Sequence, residues 1–176
     1  GVYFVLRASY EDLISVSGVG HSTAVIIKLA YELISISYAE RAQSGTYLAD
    51  DKLVRDYCRN LVSCKVVEEF HVLYLGNDSR LLLDETHSRG TIDESAVYPR
   101  EISRKALQLN AIGVILVHNH PISDNSFSHA DADLTSLIEE RLNSFGISLV
   151  DHFMVTSNGI VHSLRATPWL RKSSLK

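Results

Sequence analysis

The residue types best suited to chemistry lie in two short runs, His118-Asn119-His120-Pro121 and Ser128-His129-Ala130-Asp131. Side chains two apart on an extended segment point to the same face, so both imidazoles can reach one cation, and Asp131 can return from the first turn of a following helix. Two nitrogens and one carboxylate around a tetrahedral ion suit zinc. They leave a fourth position for a water whose pKa falls towards neutrality, which is the chemistry of hydrolysis. The residue types also have plainer uses. A His-x-His pair can sit at a strand end as polar edge residues, and Ser128 with Asp131 fits a helix N-cap followed by an acid at the third position. Their combination favours the metal: an apolar strand delivers two imidazoles, and the return loop ends at a helix start that offers a carboxylate.

The elements that must position these residues can be read from periodicity. Residues 112–117 are short, apolar and β-branched, a buried central strand that runs into His118. Leu134, Leu137, Ile138 and Leu142 recur at helical spacing, and Gly146 ends that helix. Residues 147–156 and 160–164 form a hairpin across Ser157-Asn158-Gly159. Upstream, residues 50–63 read as a helix, 66–76 and 80–85 as strands joined at Asn77-Asp78, and Pro99 opens a helix through Asn110. The order predicts an α+β domain over residues 51–176, built on one mixed β-sheet flanked by helices. Residues 37–50, rich in small polar side chains, read as a linker. Residues 1–36 read as helix, Gly-containing turn and helix, and resemble a helix-hairpin-helix. Its Gly18-Val19-Gly20 turn could hold a DNA phosphate on bare backbone N–H groups. Glu11, Asp12 and Glu32 against the single Lys28 favour plain helix packing there.

The whole chain has 176 residues, 17 basic and 21 acidic side chains and a net charge of −4, too little for an electrostatic nucleic-acid footprint. Its longest unbroken apolar run, residues 111–117, is far short of the roughly 20 residues that cross a bilayer, and the start lacks a signal-peptide pattern. The expectation is a cytoplasmic protein without membrane contact; because Gly1 is not a methionine, it reads as an N-terminally truncated piece. Cys58 and Cys64 match no common zinc spacing and read as reduced thiols. His21, His71, His87, His129 and His162 are scattered or lie beside the motif, and read as non-ligands.

The run from His118-x-His120 through Ser128 to Asp131 resembles the metal-binding signature of the JAMM or MPN-plus metalloproteases. The wider text is similar to the bacterial RadC family: Glu68-x-Phe70, Gly90-Thr91, residues 97–101, Asn110-Ala111, Asp124, Leu134-Thr135, Gly146-Ile147 and Asp151-His152. The resemblance implies a cytidine-deaminase-like JAMM/MPN fold in which His118, His120 and Asp131 bind zinc and Ser128 helps hold the oxyanion. Glu68 would be the base. Glu69 is its rival, but alternate strand residues face opposite ways, so only one of the two can look into the site, and Glu68 is preferred. Asp124, Asp151 and His152 would orient the ligands by hydrogen bonds. The implied activity is that of a zinc-dependent metallopeptidase or isopeptidase acting on a peptide or protein amide bond. The alternative implied by the family is a non-enzymatic DNA repair or recombination accessory. Where the family often reads Pro-Ser-Gly-Asp and Pro-x-Pro-Ser, this chain has Pro121-Ile122-Ser123-Asp124 and Asn125-Ser126-Phe127-Ser128, so the loop between the ligands loses a glycine and two prolines.

Overall fold

A computed structural model describes residues 2–44, 48, 50–62, 65–90, 97–122 and 126–167. By internal contacts the chain divides into Gly1–Arg41 and Ala42–Lys176. Cys64 and Asp124 lie outside the described residues.

The first unit carries α1 (Val2–Arg7), α2 (Tyr10–Ser15) and α3 (His21–Gln43). Ser9 caps α2, its Oγ accepting the Asp12 N–H at 2.9 Å. The turn to α3 passes through Gly18 at φ +88°, a conformation that costs a side chain-bearing residue free energy. The segment read as linker is helical as far as Gln43. Ala39, Glu40, Arg41, Ala42 and Gln43 are strong helix formers, and their small or polar character says nothing against a helix. The 23-residue α3 is also long and apolar enough, at mean hydropathy 1.2, to cross a membrane by length and composition. A search for unbroken apolar runs passes over it, because Lys28 and Glu32 interrupt its residues.

The second unit begins with α4 (Asp51–Val62), then β1 (Glu69–Leu75) and β2 (Leu81–Arg89), α5 (Pro99–Gln108), β3 (Gly113–His120), α6 (His129–Asn143), β4 (Ser148–Thr156) and β5 (Val161–Ser163). Among the described residues the strands form one mixed sheet in the order β2-β1-β3-β4-β5, in which only β3 and β4 are parallel. Helix α6 makes the crossover between those two, as parallel neighbours require. On one face Phe70, Val72 and Tyr74 of β1 and Val114 and Leu116 of β3 pack with Ile102 and Ala106 of α5 and Ile138 and Leu142 of α6. Continuing the alternation of β3, His118 and His120 share that face, at the end where α6 begins.

The other face carries α4, whose buried Cys58 is a free thiol that burial pushes far above the reactive range. Here His71 is held between two carboxylates, Nδ1 at 2.9 Å from Asp84 and Nε2 at 3.1 Å from Glu69. Burial alone would lower its pKa, but the hydrogen bond and charge of Asp84, then those of Glu69, more than reverse this. The folded protein therefore binds this proton more tightly than the unfolded chain. The stabilisation is complete below about pH 6.5, the unfolded value, and is lost as pH rises through the folded value. His71→Gln should cost about 1–3 kcal/mol at pH 6 and much less at pH 9, a convergence that urea unfolding across pH would show.

Candidate metal centre

The centre is assembled from the end of β3, the first turn of α6 and the residue ahead of β1. His118 Nε2 lies 3.1 Å from His120 Nε2, 3.6 Å from Asp131 Oδ1, and His120 Nε2 lies 4.0 Å from Asp131 Oδ2. Four donors bonded tetrahedrally to an ion at about 2.0–2.1 Å would stand roughly 3.3 Å apart, a spacing the two imidazoles approach, whereas Asp131 meets each imidazole with a different oxygen at a longer separation. Glu68 joins them, since it, His118 and His120 each offer a ligand atom within 4.8 Å of the other two. Burial pulls the His118 imidazole down to about 4, with Asp131 opposing and His120 assisting, so at neutral pH it carries a free lone pair. The donor set fits a divalent cation.

Asp131, the candidate carboxylate ligand, also caps α6. Its Oδ2 accepts the Ser128 N–H at 2.8 Å and the Ser128 hydroxyl at 2.7 Å, while Ser128 Oγ accepts the Asp131 N–H at 3.1 Å, a reciprocal capping box. The cap and the carboxylate ligand are thus not rival explanations. Oδ2 closes the helix end and is also the oxygen 4.0 Å from His120, while Oδ1 lies towards His118. The hydroxyl proton of Ser128 is committed to Asp131 in this state.

Glu68 lies immediately before β1, half-buried, and its carboxyl pKa is raised, chiefly by burial, with His120 opposing and the Asp131 charge reinforcing. Glu69 faces away and is paired with His71, Lys65 and Arg89. Asn119 holds the backbone that presents Glu68. Lying between the two histidines but on the opposite face of β3, it is 2 % exposed; its Oδ1 accepts the Glu69 N–H at 2.8 Å and its Nδ2 donates to Val67 O at 3.0 Å and Lys65 O at 3.4 Å. The Gly90 N–H donates to Glu68 O at 2.9 Å, from a φ of +115° that favours glycine. Ladder pairing of β1 with β3 ends at Phe70 and His118, so Asn119 extends the connection by side chain where the backbone stops. Asn119→Ala would leave the buried Glu69 N–H unpaired. It should cost about 1–3 kcal/mol in denaturant unfolding, with metal content unchanged because no ligand is removed.

His152 of β4 is fully buried and its Nε2 lies 2.8 Å from His118 Nδ1. Its neighbour Asp151, expected beside it, serves a different end: it accepts from Ser163 Oγ at 2.5 Å and from the Arg165 N–H at 3.3 Å, fastening the chain after β5. Strand alternation sends the two side chains opposite ways. Thr135, Asn119 and the flanking rings of Phe70 and Phe127 carry no chemical signature of their own. A polar residue inside an otherwise apolar strand or helix face is the signal that could have found Asn119 and Thr135. Among the other histidines, His21 pairs with Tyr10 in the first unit, and His87 pairs with Tyr74 and Glu85. In the first unit Gly18, Val19 and Gly20 do form the turn before α3, and Lys28 donates its ammonium to Ala8 O at 3.1 Å.

A mixed sheet that brings two strand-borne imidazoles to a helix-borne carboxylate defines a metalloprotease-like α+β domain of the JAB class. The RadC-like JAB domain model matches residues 48–169, and the chain belongs to the RadC family. It is 35 % identical over 161 residues to the UPF0758 protein FN0909 of Fusobacterium nucleatum, covering 88 % of this chain and 69 % of that one. It is 34 % identical over 166 residues to the UPF0758 protein SPO0054 of Ruegeria pomeroyi, covering 94 % and 74 %, and 34 % identical over 151 residues to a UPF0758 protein of Rhodobacter capsulatus, covering 86 % and 71 %.

Proposed function

We propose that the protein is a zinc-dependent hydrolase of amide bonds, a peptidase or isopeptidase, with His118, His120 and Asp131 as the ligands and Glu68 as the general base. The observation that carries this reading is the convergence of two imidazoles 3.1 Å apart with the Asp131 carboxylate, 3.6 Å from one and 4.0 Å from the other, beside a Glu68 carboxylate of raised pKa. Bound zinc would supply Lewis acidity, both to water and to the carbonyl under attack. Of the two carboxylates, Asp131 is fixed by two hydrogen bonds to one oxygen, as a ligand should be, and among the described residues Glu68 is held through its backbone. A raised pKa equips Glu68 to take a proton from the attacking water and pass it to the leaving amine. Ser128 could serve the oxyanion by turning its proton away from Asp131 Oδ2, a rotation about one bond.

Protein carrying one zinc per chain, incubated with a peptide library and with an isopeptide-linked conjugate, tests the proposal. Cleavage that a chelator stops and added zinc restores is the expected result. Cleavage indifferent to the chelator, or none of either class by fully loaded protein, would count against it.

A further inference from the structure

We infer that Thr135 and His152 are positioning residues that set the tautomer of His118, through a chain of hydrogen bonds that starts on one metal ligand and ends on the backbone of another. The inference rests on the metal-site reading for the atoms it serves.

The direction of the chain follows from its far end. Thr135 Oγ1 lies 2.5 Å from Asp131 O and 2.6 Å from His152 Nδ1. A carbonyl oxygen can only accept, so the single hydroxyl proton of Thr135 goes to Asp131 O. Placing that proton towards His152 instead would leave two oxygens in contact with no hydrogen between them. Thr135 Oγ1 must then accept from His152, which therefore carries its proton on Nδ1 and presents a lone pair at Nε2. That lone pair lies 2.8 Å from His118 Nδ1, which must be the donor. With its proton held on Nδ1, His118 offers Nε2, the atom that faces His120 and Asp131, as a lone pair.

The members of the chain are buried. Thr135 and His152 are fully buried and His118 is 1 % exposed. Phe70 lies 5.6 Å from the His152 ring and Phe127 5.4 Å from it, centroid to centroid, and both also flank His118, so the two imidazoles are packed between apolar rings. The chain also joins two elements. Asp131 and Thr135 lie one turn apart on α6, whereas His118 and His152 lie on the neighbouring strands β3 and β4, so the bonds that fix the tautomer also fix the helix start against the sheet.

Thr135→Val keeps the shape of the side chain and removes the acceptor. His152 can then take the opposite tautomer and donate from Nε2, which moves the His118 proton onto the atom that faces the site. Zinc titration of the metal-free full chain should show affinity reduced about 10- to 100-fold in T135V and restored in T135S, with thermal unfolding recorded for each variant. Nitrogen-15 spectra of the metal-free wild type should place the His118 and His152 protons on Nδ1, and those of T135V should show them displaced. Wild-type zinc affinity in folded T135V, or a His118 proton on Nε2 in the metal-free wild type, would overturn the inference. If the wild type takes up no zinc, the hydrolase reading fails, while the nitrogen-15 spectra still decide the hydrogen-bond chain.

Discussion

Glu68→Gln should retain one zinc per chain and lose about 10²- to 10⁴-fold in turnover of a cleavable amide. Glutamine matches the shape of the side chain but has no lone pair basic enough to take a proton from water. The backbone clamp on this residue, Asn119 on one side and Gly90 on the other, does not depend on the side chain, so the fold should be unaffected. The variant also separates the two carboxylates near the imidazoles. Glu68 stands close enough to His118 and His120 to be a ligand itself. Zinc content and turnover measured on the same preparation therefore discriminate: metal retained with activity lost marks a base, and both lost together marks a ligand.

Asp131→Ala should lose stoichiometric zinc after dialysis and lose stability as well. The stability change comes from the capping box, because Ser128 N–H and Oγ–H both lose their acceptor at the start of α6. Losses of this kind cost about 0.5–2 kcal/mol. Asp131→Asn resolves the two tasks, since an amide oxygen can still accept the Ser128 N–H but brings no charge to the cation. Denaturant midpoints near wild type with zinc lost are expected for Asn, and a lowered midpoint with zinc lost for Ala. Zinc retained in both would remove Asp131 from the ligand set.

The spacing of the candidate ligands is legible because it is local. An apolar strand, two imidazoles in alternation and a capping signal at residues 128–131 can all be read from neighbouring positions, and the central strand needed extending only from Val117 to His120. What could not be read are partners remote in sequence. Asn119 meets the Glu69 N–H across 50 residues, and His118 meets His152 across 34, so no periodicity announces either contact. The β2 strand runs to Arg89, beyond its sequence-predicted end at Glu85, because it is the edge strand: Thr86, Ser88 and Arg89 keep pairing with β1, across a bulge at His87, without an apolar pattern to show it. Strand alternation separates the pair Asp151 and His152 as it separates Glu68 and Glu69, and His152 is the member that faces the ligands. In the segment read as a linker, residues 37–43 are helical because helix propensity prevails over small polar character, while the division between the two units falls within that segment.

Diffraction from crystals of the zinc-loaded wild type, recorded at the zinc absorption edge, should show one anomalous peak within about 2.0–2.2 Å of His118 Nε2, His120 Nε2 and an Asp131 oxygen, with Glu68 outside bonding distance and one coordination position left to solvent. A peak bonded to Glu68 in place of Asp131, a fourth protein ligand closing the site, or no peak there at all would contradict the proposed zinc site.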